Sequence, residues 1–480
     1  MRPTIAIIGG GITGLAAAHR LVQLDREINV VLLEAAPRLG GVLQTTHRDG
    51  FLVESAADGF LTTPSAAMDL CRSLGLADEL IAPSAANRQA LVVRDGHLQP
   101  VPAGFTVLAP SRLGPLLRTP ILSLRGKLRA ALEYVVPRQS SGEDESLESF
   151  VCRRFGRELL DRLVQPLVGG IYSADPRRLS VAATMPRFLK MEQEHGSLIR
   201  AMLRQRRQQS QQVGNGVRYA QFAALRGGMS ALIGRLAESL PVGCAQPDSL
   251  VAEIMPRDGG RWSLCVGGAR PRRLTVEGVL MASPAHPAAR LLAPIDRTLS
   301  SELREIEYAG CALVSLGYRR QQIGHPLDGF GFVVPLVEQR TILSCSFSSV
   351  KYEGRDPKGT VLLRVFIGGA CQSGLLRLSS QQLIALAERE VADLLRIQGQ
   401  PLFRHCTRQP GAMPQYHVGH RDRVARIEAR LQQFPTLALA GSALHGVGVP
   451  GCIQSGTAAA ERLVQALSRV TSKACEPVAT

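Results

Sequence analysis

The fold class this sequence predicts is α/β with more than one lobe, and three observations predict it. A β-branched strand near the N-terminus runs into a glycine-rich turn and then a helix. A second strand, glycine-rich crossing and small-residue helix follow near the C-terminus. The chain of 480 residues also exceeds the roughly 250–300 residues that one hydrophobic core organises.

The first strand is Thr4 to Ile8, a short run rich in β-branched residues. The turn after it is Gly9-Gly10-Gly11-Ile12-Thr13-Gly14, and Leu15 to Leu24 continues as a helix. This is G-x-G-x-x-G in the strand–turn–helix setting of a Rossmann-like dinucleotide site. Gly9 permits the tight turn, Gly11 lets backbone approach a pyrophosphate, and Gly14 lets helix and strand pack closely. Backbone N–H groups at the helix start face the phosphate charge. The second strand, Asn29 to Leu33, ends at Glu34, about 20 residues beyond the glycines, where an acid accepts ribose hydroxyls.

FAD and NAD(P) share that fingerprint. The next residues, Ala35-Ala36-Pro37-Arg38-Leu39-Gly40-Gly41, resemble the second glycine motif of the FAD-dependent amine oxidase and desaturase superfamily. Gly40 and Gly41 leave room for chain and cofactor to meet, and Arg38 is placed to reach adenosine phosphate or ribose oxygens. Val42 stands where many members carry Arg or Trp.

At the far end, Thr436 to Ala440 reads as a strand, Gly441 to Gly451 as a glycine-rich crossing, and Cys452 to Leu467 as a helix. Gly456 and Ala458 to Ala460 leave room for close packing. The positive end of that helix suits the pyrimidine side of a flavin.

Here the chain resembles the oxygen-dependent protoporphyrinogen oxidase family, including its bacterial coproporphyrinogen III-oxidising members. The segments that carry the resemblance are Gly446 to Gly456 (GVGVPGCIQSG), Val53 to Leu61 (VESAADGFL), Pro166 to Pro176 (PLVGGIYSADP) and Leu225 to Met229 (LRGGM). The resemblance implies FAD contacts at Gly9 to Gly14, Glu34, Ala35, Ala57, Asp58, Gly59, Phe60, Val251, Gly441, Val447, Gly448 and Val449. It implies substrate contacts at Arg88, to a propionate, and at Gly170 and Tyr352, against the macrocycle. It names no catalytic acid or base. Asn87-Arg88 precedes a hairpin at Leu91 to Gly96 with Asp95-Gly96 at its tip.

The same resemblance implies a discontinuous FAD domain from residues 1–86, 222–285 and 430–470. A mixed-sheet substrate domain would take 87–105 and 286–429, with strands such as Ala312 to Tyr318 and Val361 to Ile367. A helical lobe open to membrane contact would span 106–221, with helices at Leu128 to Val136 and Ser146 to Leu163, and 471–480 would be a frayed tail. The implied reaction is FAD-dependent oxidation of protoporphyrinogen IX or coproporphyrinogen III in heme biosynthesis, in successive two-electron rounds, with oxygen as acceptor and hydrogen peroxide as product. Two other readings share the N-terminal glycines. One is another flavin amine oxidase or a carotenoid desaturase, and the other is a non-enzymatic FAD- and porphyrin-binding carrier.

Composition narrows the partners. The net charge is +16, almost all from Arg, which suits a carboxylate-bearing substrate or an acidic membrane surface. The basic residues are scattered apart from Arg200 to Arg207, and the single Trp leaves little for base stacking, so no nucleic acid is expected. The ten cysteines show neither disulfide nor zinc spacing, so no metal is expected. No signal peptide precedes the first strand, and no apolar run reaches the ~18 residues of a spanning helix. A cytoplasmic protein is therefore expected, open to peripheral membrane contact, to homodimer formation and to contact with downstream heme-pathway enzymes.

Overall fold

A computed structural model describes residues 2–86, 89–139, 143–210 and 222–474, with backbone alone at 207–210 and 470–474. Its base is a five-stranded parallel sheet in the spatial order Ala245–Gln246, Asn29–Leu33, Thr4–Ile8, Gly278–Met281, Leu437–Leu439. Alternation along the first strand feeds two cores. Ile5 and Ile7 pack with the helices Ile12–Leu24, Met229–Glu238 and Val449–Ala474. Ala6 and Ile8 face the other side, where Ile254, Trp262 and Leu264 cover the sheet from a three-stranded antiparallel layer. Burial on both faces is why the inner residues of the two N-terminal strands, Ile5 to Ile8 and Val30 to Leu33, are all apolar.

The C-terminal helix is longer at both ends than the sequence indicated. It starts at Val449 rather than Cys452, and it runs to Ala474, past the point where fraying was expected. Its strand is trimmed to Leu437–Leu439. It lies on the first helix so closely that a Cβ on Gly456 would stand 2.3 Å from the Thr13 carbonyl oxygen.

The second sheet has seven strands, ordered Phe403–Pro414, Tyr308–Arg319, Thr360–Gly368, Ser344–Phe347, Gly331–Val333, Leu91–Arg94, His97–Pro100. All pairings are antiparallel except Gly331–Val333 with Leu91–Arg94. Asp95 and Gly96 form the expected hairpin tip, with φ of 50° and 75°. Positive φ at both central residues matches the right-handed twist of the strands.

Two helices of the third lobe depart from the sequence reading. Instead of Leu128 to Val136, a helix spans Leu124–Ala131, capped by the Ser123 hydroxyl on the Gly126 N–H, and a tighter turn follows at Leu132–Tyr134. The stretch from Ser146 to Leu163 is not one helix. Ser146 caps Leu147–Phe155, and Gly156, with φ of 92°, then ends it. A wider turn at Leu160–Val164 leads into Gln165–Tyr172. Apolar spacing could not reveal a break at which the pattern resumes in phase. Inside this lobe Arg154 is fully buried and bonds Glu133 and Glu192. Glu133 in turn accepts the Leu198 and Ile199 N–H groups and the Ser197 hydroxyl.

Candidate functional site

The glycine turn forms a cradle because neighbouring backbone leaves no room for side chains. A Cβ on Gly14 would fall 1.9 Å from the Gly9 carbonyl oxygen. Gly9 has φ of 112°, and its Cβ would meet Ala282 oxygen at 2.9 Å. Gly10 is closed in by Leu39 and Glu34. Gly11 is different: its Cβ would point into open space, with only the Gly41 Cα at 4.0 Å. The two glycine loops therefore meet backbone to backbone with no side chain between them, a Cβ on Gly41 falling 3.3 Å from the Gly11 Cα, and the Gly40 N–H ties them to the Gly10 carbonyl at 2.8 Å. No side chain caps the first helix at Gly11, so its first N–H groups, including those of Ile12 and Thr13, are free to meet an anion.

Glu34 closes one end of the cradle. It accepts the Gly10 N–H at 2.6 Å and the Ala36 N–H at 2.8 Å, one on each oxygen, which leaves a lone pair on each. Ala35 beside it is exposed. Val251 is buried next to this end, where the Ser249 N–H bonds the Glu34 carbonyl. Arg38 folds back, donating to the carbonyls of Leu39, Gly41 and Leu43, so it shapes the second glycine loop. Sequence reasoning missed Ser283, after the strand beside Gly9. Its buried hydroxyl has no partner among the described residues. Facing glycines, an uncapped helix, an acid with free lone pairs and an orphan hydroxyl fit a dinucleotide.

The C-terminal crossing forms the other end. Gly441, with φ of 127°, donates its N–H to the Ser455 hydroxyl. Gly448, with φ of 98°, precedes the helix start at Val449. Val447 packs on the core of the helical lobe, while Val449 joins the core beneath the parallel sheet. Tyr416 stacks on His420 with ring centroids 4.0 Å apart, and its hydroxyl donates to the Ser442 carbonyl.

The segment Ala57–Phe60 is held from behind by the seven-stranded sheet. Asp58 pairs with Lys351 Nζ at 3.1 Å and Arg364 at 3.2 Å. Burial alone would raise its carboxyl, but Lys351 and Arg364 outweigh burial and hold it down at about 2. Arg364 also donates to the carbonyls of Glu54 and Ala56. Glu54 accepts the Met229 N–H and the Thr45 hydroxyl, and burial pushes its carboxyl up. Phe60 enters the same core as Val449. Lys351, Arg355 and Arg364 were not anticipated, though an Arg within Val361 to Ile367 was a visible anomaly in a strand otherwise apolar.

Of the expected substrate contacts, Arg88 lies outside the described residues. Gly170 is exposed on the helix Gln165–Tyr172, and its Cβ would point at Val333 on the facing sheet, 3.6 Å away. Tyr352, expected against the ring, is instead 1% exposed. Its hydroxyl is tucked beneath Gly59, 2.6 Å from where a Cβ would stand.

Comparison with known proteins places the chain in a family. The family described as flavin containing amine oxidoreductase matches residues 12–464. Coproporphyrinogen III oxidase of Bacillus subtilis (strain 168) is 33% identical over 460 residues, covering 95% of this chain and 96% of that protein. Chloroplastic protoporphyrinogen oxidase 1 of Arabidopsis thaliana is 29% identical over 97% of this chain and 89% of its own length. A crystal structure from Exiguobacterium sp. 255-15 superposes with a TM-score of 0.85 at 30% identity, covering 98% of this chain and 99% of that one.

Proposed function

The chain belongs to the flavin containing amine oxidoreductase family, and from that premise we propose that it oxidises coproporphyrinogen III to coproporphyrin III. FAD, when bound, would supply the two-electron acceptor, with oxygen as the final acceptor and hydrogen peroxide as the product. The chain's own residues bind and orient. The N–H groups from Ile12 to Gly14 would take the pyrophosphate beside the Gly11–Gly41 contact, Glu34 would take the ribose, and Ala57–Phe60 and Val447–Val449 would close around the flavin end. Gly170, exposed and without a side chain beside Val333, offers a flat wall for a macrocycle, and Arg88 pairs with a propionate. Excluding water there keeps the propionate–Arg pairing strong.

The near full-length likeness to the Bacillus subtilis enzyme carries the choice of substrate. The Arg excess supports it, since coproporphyrinogen bears two more carboxylates than protoporphyrinogen. The test is kcat/KM for coproporphyrinogen III, protoporphyrinogen IX and a primary amine on purified yellow protein. Coproporphyrinogen should lead. A lead for protoporphyrinogen overturns the substrate, and a lead for the amine overturns the reaction. Arg88→Ala should raise KM with flavin content unchanged.

Peripheral membrane contact belongs to the same reading. Leu124, Leu128 and Leu132 are 77%, 68% and 55% exposed, about one helical turn apart. Arg118, Arg125 and Lys127 flank them, and no acid occurs from Arg112 to Leu132. Apolar exposure beside cations suits an anionic bilayer surface. Among the described residues no helix is long and apolar enough to cross a membrane. Flotation with phosphatidylglycerol vesicles should carry the protein up, and Leu124→Asp should leave it at the bottom.

A further inference from the structure

Behind Ala57–Phe60 lies a buried cluster in which cations outnumber carboxylates. Lys351, Arg355 and Arg364 face Glu54 and Asp58, and Glu54, Arg355 and Arg364 are each 2% exposed. At the surface, by contrast, Arg423 and Arg426 share Glu302. Here Arg355 is left with the carbonyls of Leu225 and Arg226. Arg355 Nε, Arg364 Nε, the Tyr352 hydroxyl and the Ser348 hydroxyl have no partner among the described residues. Charge excess in a low-dielectric interior acts over longer range than at a screened surface.

This excess stands directly behind the segment that closes around the flavin end. Gly59 is the contact point, with Tyr352 beneath it and Asp58 beside it in the chain. The start of the C-terminal helix at Val449 brings a partial charge of the same sign, and Phe60 packs in one core with it. We propose that the cluster of Lys351, Arg355 and Arg364 stabilises the negative charge the flavin gains on accepting electrons, and so sets its reduction potential from the substrate-domain side. Lys351 is the member to vary, because Arg355 and Arg364 also support backbone carbonyls. The inference rests on flavin binding at this site and is independent of which substrate is oxidised.

The test uses full-length holoprotein with no porphyrinogen present. The midpoint potential is measured by dye equilibration, and sulfite affinity for the bound flavin by titration. Lys351→Met should weaken sulfite binding about tenfold and lower the potential by ~30 mV, the equivalent for a two-electron couple. Lys351→Arg should restore both. Asp58→Asn removes a carboxylate and should move both readouts the opposite way, which covers the case of a Lys351→Met protein that fails to fold. A flavin-retaining Lys351→Met protein with wild-type potential and sulfite affinity overturns the proposal and leaves the cluster a structural lock between domains. Failure of the porphyrinogen assay leaves this measurement intact, whereas a protein that binds no flavin overturns both.

Discussion

Gly456→Ala tests whether the cofactor cradle depends on how the two ends of the chain meet. An added Cβ would stand 2.3 Å from the Thr13 carbonyl oxygen and 3.2 Å from its carbon. Non-bonded carbon contacts are comfortable near ~3.5–4.0 Å, so the helices Ile12–Leu24 and Val449–Ala474 would have to part by about 1 Å. Both atoms opposite are backbone, and no rotamer change relieves them. Overpacking of this kind costs about 1–3 kcal/mol, while the better helix propensity of Ala returns at most ~1 kcal/mol. A net loss of up to roughly 2 kcal/mol remains after that return, and the Gly11 loop moves relative to Val449. Gly234 is the control, exposed in the middle of Met229–Glu238 with nothing within 4 Å of an added Cβ. Gly234→Ala should stabilise by about 0.5–1 kcal/mol. Thermal unfolding followed by flavin fluorescence, with flavin content after gel filtration, should place Gly456→Ala below wild type with flavin lost and Gly234→Ala above it with flavin kept. A Gly456→Ala protein as stable and as yellow as the Gly234→Ala protein would refute the packing argument.

Other sites give independent expectations. Burial holds His420 down at about 4, partly opposed by its hydrogen bond to the Leu444 carbonyl. A lowered histidine gives stability that is complete above the unfolded value of 6.5 and is lost as pH falls toward 4, by roughly 3 kcal/mol. His420→Phe should keep the stack on Tyr416 and flatten that slope in urea midpoints; parallel slopes for the two proteins would exclude the account. Arg154→Met should strand the buried Glu133 and cost about 3–5 kcal/mol, read as proteolytic opening of the helical lobe before flavin is released. Wild-type protease resistance would count against it. Gly170→Leu should raise a bulky side chain from this exposed helix face beside Val333 and raise KM for porphyrinogen about tenfold, with flavin content unchanged; an unaltered KM removes Gly170 from the substrate wall.

The sequence by itself determined what local sterics dictate. Gly9, Gly11 and Gly14 act within a few residues of one another, and a Cβ at Gly14 meets the Gly9 carbonyl whatever the rest of the chain does. The Asp95-Gly96 tip and the acid at Glu34 were legible for the same reason, since turn chemistry and strand ends are set by neighbours. Spacing that resumes in phase hid the break at Gly156, so the long helix expected from Ser146 was cut short. The tertiary structure alone decided that Arg364 reaches the carbonyls of Glu54 and Ala56 across more than three hundred residues of chain. It also decided that Arg38 turns back on its own loop and that Tyr352 lies beneath Gly59. Those contacts depend on how the seven-stranded sheet docks against the parallel one, and no spacing within a single segment encodes the pairing of two surfaces so far apart in the chain.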